Sequence, residues 1–190
     1  MIHIEVPDIC TNEIRYTIGV IFEEFWQVNC SVSNHPRKEF IIRCDAIDTP
    51  IKLASDFFQS ADSNWLEQKS LVYNEHTRLN LKEYGLDREL PFSDLPIVFG
   101  RPEMSISKDQ IHLCFDVFGT IFFMLSRYEE YFCFDNDIHQ RFQVENTLAF
   151  KEGFLDRPVV NEYLEFLWFL ISLVDPSLSR AQRTFKINVT

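Results

Sequence analysis

A layered α/β domain, a mixed β-sheet with helices packed on it, is the fold class this sequence predicts, and three observations predict it. The chain opens with a strand-like, a helix-like and then further strand-like stretches, the order that builds α/β layers. Its second half carries two long apolar helical patterns, a buried helix over about 116–131 and another over about 157–174. Its 190 residues are 46% hydrophobic and 25% charged, a size and balance that suit one domain with its own core and exclude disorder.

Residues 2–6 (IHIEV) alternate and stop at Pro7, as a short strand would. Thr11 then stands as the expected N-cap of a helix whose buried face is Ile14, Ile18, Ile21, Phe22 and Phe25. Strands are expected at 28–33, 39–44 and 51–54, with Asn34 to Lys38 and Asp45 to Pro50 as the turns between them. Between 56 and 110 the pattern weakens. It offers a short helix near Asn64–Lys69 capped by Ser63, a short strand at Leu95–Phe99, and polar loop elsewhere.

Two stretches, 111–125 and 158–174, are rich in apolar residues but carry Asp116 in the first and Glu162 and Glu165 in the second. Neither reaches the roughly 20 apolar residues a bilayer requires, so both are expected as core helices. Asp116 is the expected cap of the first, Pro158 sits in the opening turn of the second, and Asp175-Pro176 ends it. Eleven of the 19 phenylalanines lie between 115 and 169, which puts the core there. Residues 184–190 (TFKINVT) alternate like a last strand.

The net charge of −11 repels phosphate backbones and anionic headgroups, which argues against nucleic acid and membrane as partners. The five cysteines (10, 30, 44, 114 and 133) form no CxxC pair, and the N-terminus has Glu5 and Asp8 where a signal peptide has a basic start. Reduced thiols in the cytoplasm are the expectation. With five glycines there is no GxGxxG, GxxxxGK[ST] or GxSxG, so neither a nucleotide cofactor nor a nucleophile elbow is indicated, and no cofactor is expected.

Polar chemistry gathers in SRYEEYFCFDNDIHQRF, residues 126–142. On a helix continuing to Tyr131, Arg127, Glu130 and Tyr131 fall on the stripe of Thr120, Phe123 and Met124, with Tyr128 and Glu129 pointing elsewhere. Arg127 is then partly buried and needs a carboxylate from Glu130, Asp135 or Asp137, which makes the cluster an ion-pair lock. The same residues also suit a sugar site: Tyr128 or Tyr131 gives an aromatic face, and Arg127, Glu129, Asp137, His139 and Arg141 give directional donors and acceptors. A third arrangement, Asp135, Asp137 and His139 alternating on a strand, could face a divalent ion. With no HxxxH or HExxH spacing, a metal site is not expected.

The segments DVFGTIFFMLSRYEEY, DIHQRF and LAFKEGFLDRPVVNEYLEFL resemble an uncharacterised N-terminal domain of bacterial polysaccharide deacetylase-like proteins. Ser126 to Tyr131 match its Ser-Arg-Tyr-Glu-Glu-Tyr helix end. Asp137, His139, Arg141 and Phe142 match its Asp-x-His-x-Arg-Phe segment. Gly153, Phe154, Leu155, Pro158, Val160 and Asn161 match its Gly-Phe-Leu-x-x-Pro-x-Val-Asn segment. The resemblance is specific over about 113–165. In that family a Phe-x-x-x-x-Thr strand, matched by Phe185 and Thr190, leads into a metal-dependent deacetylase domain of the NodB-homology type. The resemblance therefore implies a single accessory domain over 1–190, with the metal site and catalytic base on a domain outside it.

Two functions from different classes follow. One is a non-catalytic module of bacterial carbohydrate metabolism whose partner is a deacetylase domain, in cis or in trans, and whose further ligand is a glycan. The other is a small stand-alone hydrolase or transferase using Glu129, Glu130, Asp137 and His139, the densest set of titratable groups in the chain.

Overall fold

Alternation at 2–7 gives the first strand, β1 (Ile2–Pro7), with Ile2, Ile4 and Val6 buried on one face and His3 and Glu5 on the other. A computed structural model supplies the fold and describes residues 1–67, 73–132 and 142–181. From β1 the chain turns through α1 (Thr11–Ile18) directly into a π-helix (Gly19–Trp26) and returns as β2 (Cys30–His35), parallel to β1. On the other side of β1 come β3 (Glu39–Cys44) and β4 (Ile47–Ala54), each antiparallel to its predecessor in the sheet. A small antiparallel pair, β5 (Arg78–Asn80) and β6 (Asp94–Pro96), stands apart. β7 (Gly100–Ile106) and β8 (Ile111–Phe115) complete the main sheet, β8 lying parallel to β4, for an order β2-β1-β3-β4-β8-β7. The sheet is mixed and helices cover one side of it, so the layered α/β architecture expected from sequence is the one found.

The helices are α2 (Asp56–Asp62), α3 (Val117–Ser126), α4 (Leu148–Lys151) and α5 (Val159–Val174). Every residue from Val117 to Phe123 is buried, because α1, α2 and α5 all pack on α3. Asp116 sets where α3 begins. Its Oδ1 accepts from Gly119 N at 2.6 Å and its Oδ2 from Phe57 N at 3.0 Å, so one fully buried carboxylate caps the first turns of α3 and α2 together. Gly119 is required beside it: a Cβ there would lie 2.3 Å from Asp116 Oδ2 and 2.6 Å from Phe57 Cβ.

Several sequence expectations are corrected. The helix expected over 116–131 stops at Ser126, because Arg127 turns left-handed (φ 52°) and Tyr128–Phe132 continue as a 3-10 turn. The stretch 111–115 is a strand, not the start of a core helix. A short apolar run fits either, and burial alternating along Ile111–Phe115 identifies the strand. Thr11 is the first helical residue rather than the cap, Cys10 occupying the cap position in a left-handed conformation. The π-helix has a wider turn than the 3.6 spacing assumed, so Ile18, Phe22 and Trp26 line up and Trp26 takes the buried place assigned to Phe25.

The turn expected at Asp45 to Pro50 is confined to Asp45 and Ala46. Pro50 lies inside β4, where the β3–β4 register jumps between Ile42↔Ile51 and Cys44↔Ile47, a bulge that spares the ladder its missing donor. Of the helix expected near 64–69, residues 64–67 form a turn and a bend and 68–69 lie outside the described residues; the helix of this stretch is α2, about two turns earlier. The strands expected at 28–33, 51–54 and 95–99 run over Cys30–His35, Ile47–Ala54 and Asp94–Pro96. The 157–174 helix holds nearly to the residue as α5, with Pro158 at its N-cap position and Asp175 ending it. The last strand expected at 184–190 lies outside the described residues.

Candidate functional site

The 3-10 turn after α3 uses its polar groups on the chain's own backbone and side chains. Tyr128, expected to point away from the core, is buried at 4% exposure with its ring 5.1 Å from Phe57 and 5.3 Å from Trp65, and its hydroxyl accepts from Leu66 N at 2.9 Å. Glu129 accepts from Leu148 N at 2.7 Å, capping α4. Burial pushes the Glu129 carboxyl above its usual range, against the pull of that amide. Arg127, expected to be partly buried, has its side chain 70% exposed and pairs with Glu130. The left-handed turn at Arg127 causes this exchange: it swings the guanidinium outward and Tyr128 inward. Tyr131 is exposed, edge-on to Phe132. Asp135, Asp137, His139 and Arg141, the remaining members of the expected cluster, lie outside the described residues.

A more deeply buried ion-pair network lies at Arg157. Its guanidinium donates to both oxygens of Glu162 (Nε at 3.1 Å, Nη2 at 2.8 Å), to Asp94 Oδ2 at 3.0 Å and to Asp94 O at 2.8 Å. Glu162 is 8% exposed. This network ties the start of α5 to β6, and the carboxylates beside Arg157 raise its pKa further. Its sequence signal was the Gly-Phe-Leu-x-x-Pro-x-Val-Asn segment, where Arg157 occupies an unspecified place. Nearby, Glu152 is also buried, accepting from His76 N at 2.5 Å.

Two hollows flank the first turn of α5. The larger, of about 410 Å³, is walled by Phe25, Trp26, Asn161, Leu164, Glu165 and Arg180. The smaller, of about 220 Å³, is walled by Met124, Phe154, Leu155, Arg157 and Val160, and again by Asn161. On the open face of the sheet, Ser31 Oγ, His3 and Asp45 form a hydrogen-bonded chain, 2.6 Å at each link. The order of atoms is that of a nucleophile, base and orienting acid. The His3 and Asp45 side chains are 44% and 59% exposed, so water screens the chain and denies it the dry setting such relays use. The free thiols Cys10, Cys30 and Cys44 are pushed up by burial, to about 12, 11 and 11, which makes them poor nucleophiles. Among the described residues, no group of three or more His, Cys, Asp and Glu is placed to hold a metal ion, and no helix is long and apolar enough to cross a membrane.

A family model described as a family of unknown function (DUF7033) matches residues 2–176. The chain belongs to the DUF7033 family. The match spans the whole described sheet and α3 to α5, so the Arg157 network and most of the walls of both hollows lie on the shared domain. Neither the curated proteins nor the solved structures searched contain a match.

Proposed function

We propose that this DUF7033 chain is a non-catalytic accessory module of bacterial carbohydrate metabolism, working in the cytoplasm with a NodB-type polysaccharide deacetylase domain, in cis or in trans. It packs on that domain or presents glycan to it. One observation supports the non-catalytic half: the Tyr128 hydroxyl, Glu129 and Glu130 are each held by a partner within the chain. General acid–base work needs a titratable group facing a substrate atom, and Glu129 faces a backbone amide instead. The sequence resemblance over about 113–165 supports the deacetylase partner.

A second reading, a small hydrolase or transferase using Glu129, Glu130, Asp137 and His139, has the raised Glu129 carboxyl on its side. One pair of assays separates them. The chain alone, with and without zinc, is expected to release no acetate from an acetylated sugar oligomer. When mixed with a separately produced NodB-type domain it is expected to co-elute and to change that domain's turnover. Turnover by the chain alone, abolished by Glu129→Gln, overturns the accessory reading.

A further inference from the structure

We propose that the two hollows beside the first turn of α5 are adjoining subsites for a neutral oligosaccharide, with Asn161 as the residue shared between them. The inference rests on the glycan-presenting part of the proposed function. It places the glycan away from residues 127–131.

The larger hollow, at about 410 Å³, falls within the roughly 300–1,000 Å³ of small-molecule sites. Its walls combine what a sugar ring needs. Phe25, half-buried, supplies aromatic surface, and the buried Trp26 backs the wall with its ring centroid 5.2 Å from that of Trp168. Polar groups meet the same space. Arg180 lies over the Trp168 ring at 5.2 Å and donates to Glu165 at 2.5 Å, which fixes both charged ends and leaves Glu165's other acceptor and Arg180's other donors for hydroxyls. Ala181 N holds Trp26 O at 2.9 Å, anchoring the arginine's segment to the π-helix.

Charge selects the ligand class. Glu165 and Arg180 cancel, so the lining offers no surplus cation to a phosphate or carboxylate, and the chain's net charge of −11 repels anions at longer range. A neutral ligand with apolar faces and many hydroxyls fits that lining. The second hollow argues for an oligomer over a single ring, because it opens on the other side of Asn161 with a mostly apolar wall of Met124, Phe154, Leu155 and Val160.

Two polar side chains of these walls have no hydrogen-bond partner among the described residues. Asn161 is exposed, and among the described residues its side-chain amide makes no hydrogen bond. The indole N–H of Trp26, a wall residue of the larger hollow, is buried and equally without a hydrogen-bond partner among the described residues. An amide able to donate and accept, standing between two cavities, is suited to the hydroxyl or acetamido groups that flank the glycosidic oxygen between successive sugar units. Asn161 also closes the Gly-Phe-Leu-x-x-Pro-x-Val-Asn segment, whose Phe154, Leu155, Pro158 and Val160 line the smaller hollow.

The test titrates the full chain with tetra-acetylchitotetraose, cellotetraose and an anionic oligogalacturonate of equal length, following tryptophan emission and calorimetry. At least one neutral oligomer is expected to bind and shift the emission. Asn161→Ala and Glu165→Gln should each weaken that binding at least tenfold with no change in melting temperature. Trp65→Phe, at the Tyr128 contact and in the wall of neither hollow, should leave the shift in place. No binding of either neutral oligomer at millimolar concentration, or binding that survives both substitutions, overturns the site and leaves docking to a deacetylase domain untouched. Equal binding of the anionic oligomer overturns the ligand class. Glycan binding lost in Asn161→Ala, in a chain that fails to dock on any deacetylase domain, supports the site and counts against the partner.

Discussion

The guanidinium of Arg157 gives up most of its hydration to meet Glu162 in a two-pronged pair and Asp94 through a side-chain oxygen and a carbonyl. Removing it would strand Glu162, 8% exposed, without its counter-charge. Arg127 is the contrasting case: its pair with Glu130 is open to water and screened by salt. Arg157→Ala is therefore expected to cost about 3 kcal/mol, the low end for breaking a buried pair because Arg157 keeps some solvent contact. Arg127→Ala should cost under about 1 kcal/mol. Urea unfolding of the two variants side by side checks this, and equal losses would refute the greater strength of the Arg157 network.

Among the elements, α3 is placed by what happens at its first turn. Asp116 bridges the amides of Gly119 and Phe57, and its carboxyl group and the Phe57 Cβ of α2 come close enough to leave no room for a methyl group at Gly119. Gly119→Ala gains helix propensity and yet should destabilise by about 1–3 kcal/mol, as overpacking of a tight core does. An unchanged urea midpoint would show that the two helices can separate at no cost. The cap at Asp116 was legible in sequence because Asp before an apolar run is a local signal, and β1, β3 and α5 were legible for the same reason. The other end of α3 was not. Nothing at Ser126–Arg127 announces a stop, since no glycine stands there, and the turn is imposed by Tyr128 packing on Phe57 and Trp65, residues 71 and 63 positions earlier. The burial of Arg127 and Tyr128 was misread for that reason: extending the helix to Tyr131 put Arg127 inside and Tyr128 outside. The walls of the larger hollow were invisible for a related reason, because Phe25, Trp26, Asn161 and Arg180 come together only through the packing of the π-helix beside α5.

For the molecule as a whole, the placement of its carboxylates sets how stability follows pH. Burial and the nearby Asp56 push Asp116 up to about 8 from an ordinary 3.8, against the pull of the Gly119 and Phe57 amides. Between those values the folded chain keeps a proton that the unfolded chain releases, so raising the pH favours unfolding, by up to about 1.4 kcal/mol per pH unit for one proton. Asp56 and Glu129, raised by burial, act in the same direction. Glu5, beside Arg43, and Asp45, beside the N-terminal amine and His3, are lowered. Their contribution is present above their ordinary values and is lost as the pH falls through the lower folded ones. The two trends together place the stability maximum on the mildly acidic side, so the urea midpoint should be higher at pH 5 than at pH 8. The net charge of −11 would produce part of that difference by self-repulsion. Salt separates the two causes: it screens repulsion between surface charges and leaves the fully buried Asp116 nearly untouched. At high ionic strength the wild-type difference between pH 5 and pH 8 should persist, and in Asp116→Asn, which has no proton to lose there, it should shrink. A wild-type difference that salt removes altogether would mean that Asp116 is ionised in the folded chain, held as an anion by the two helix ends it caps.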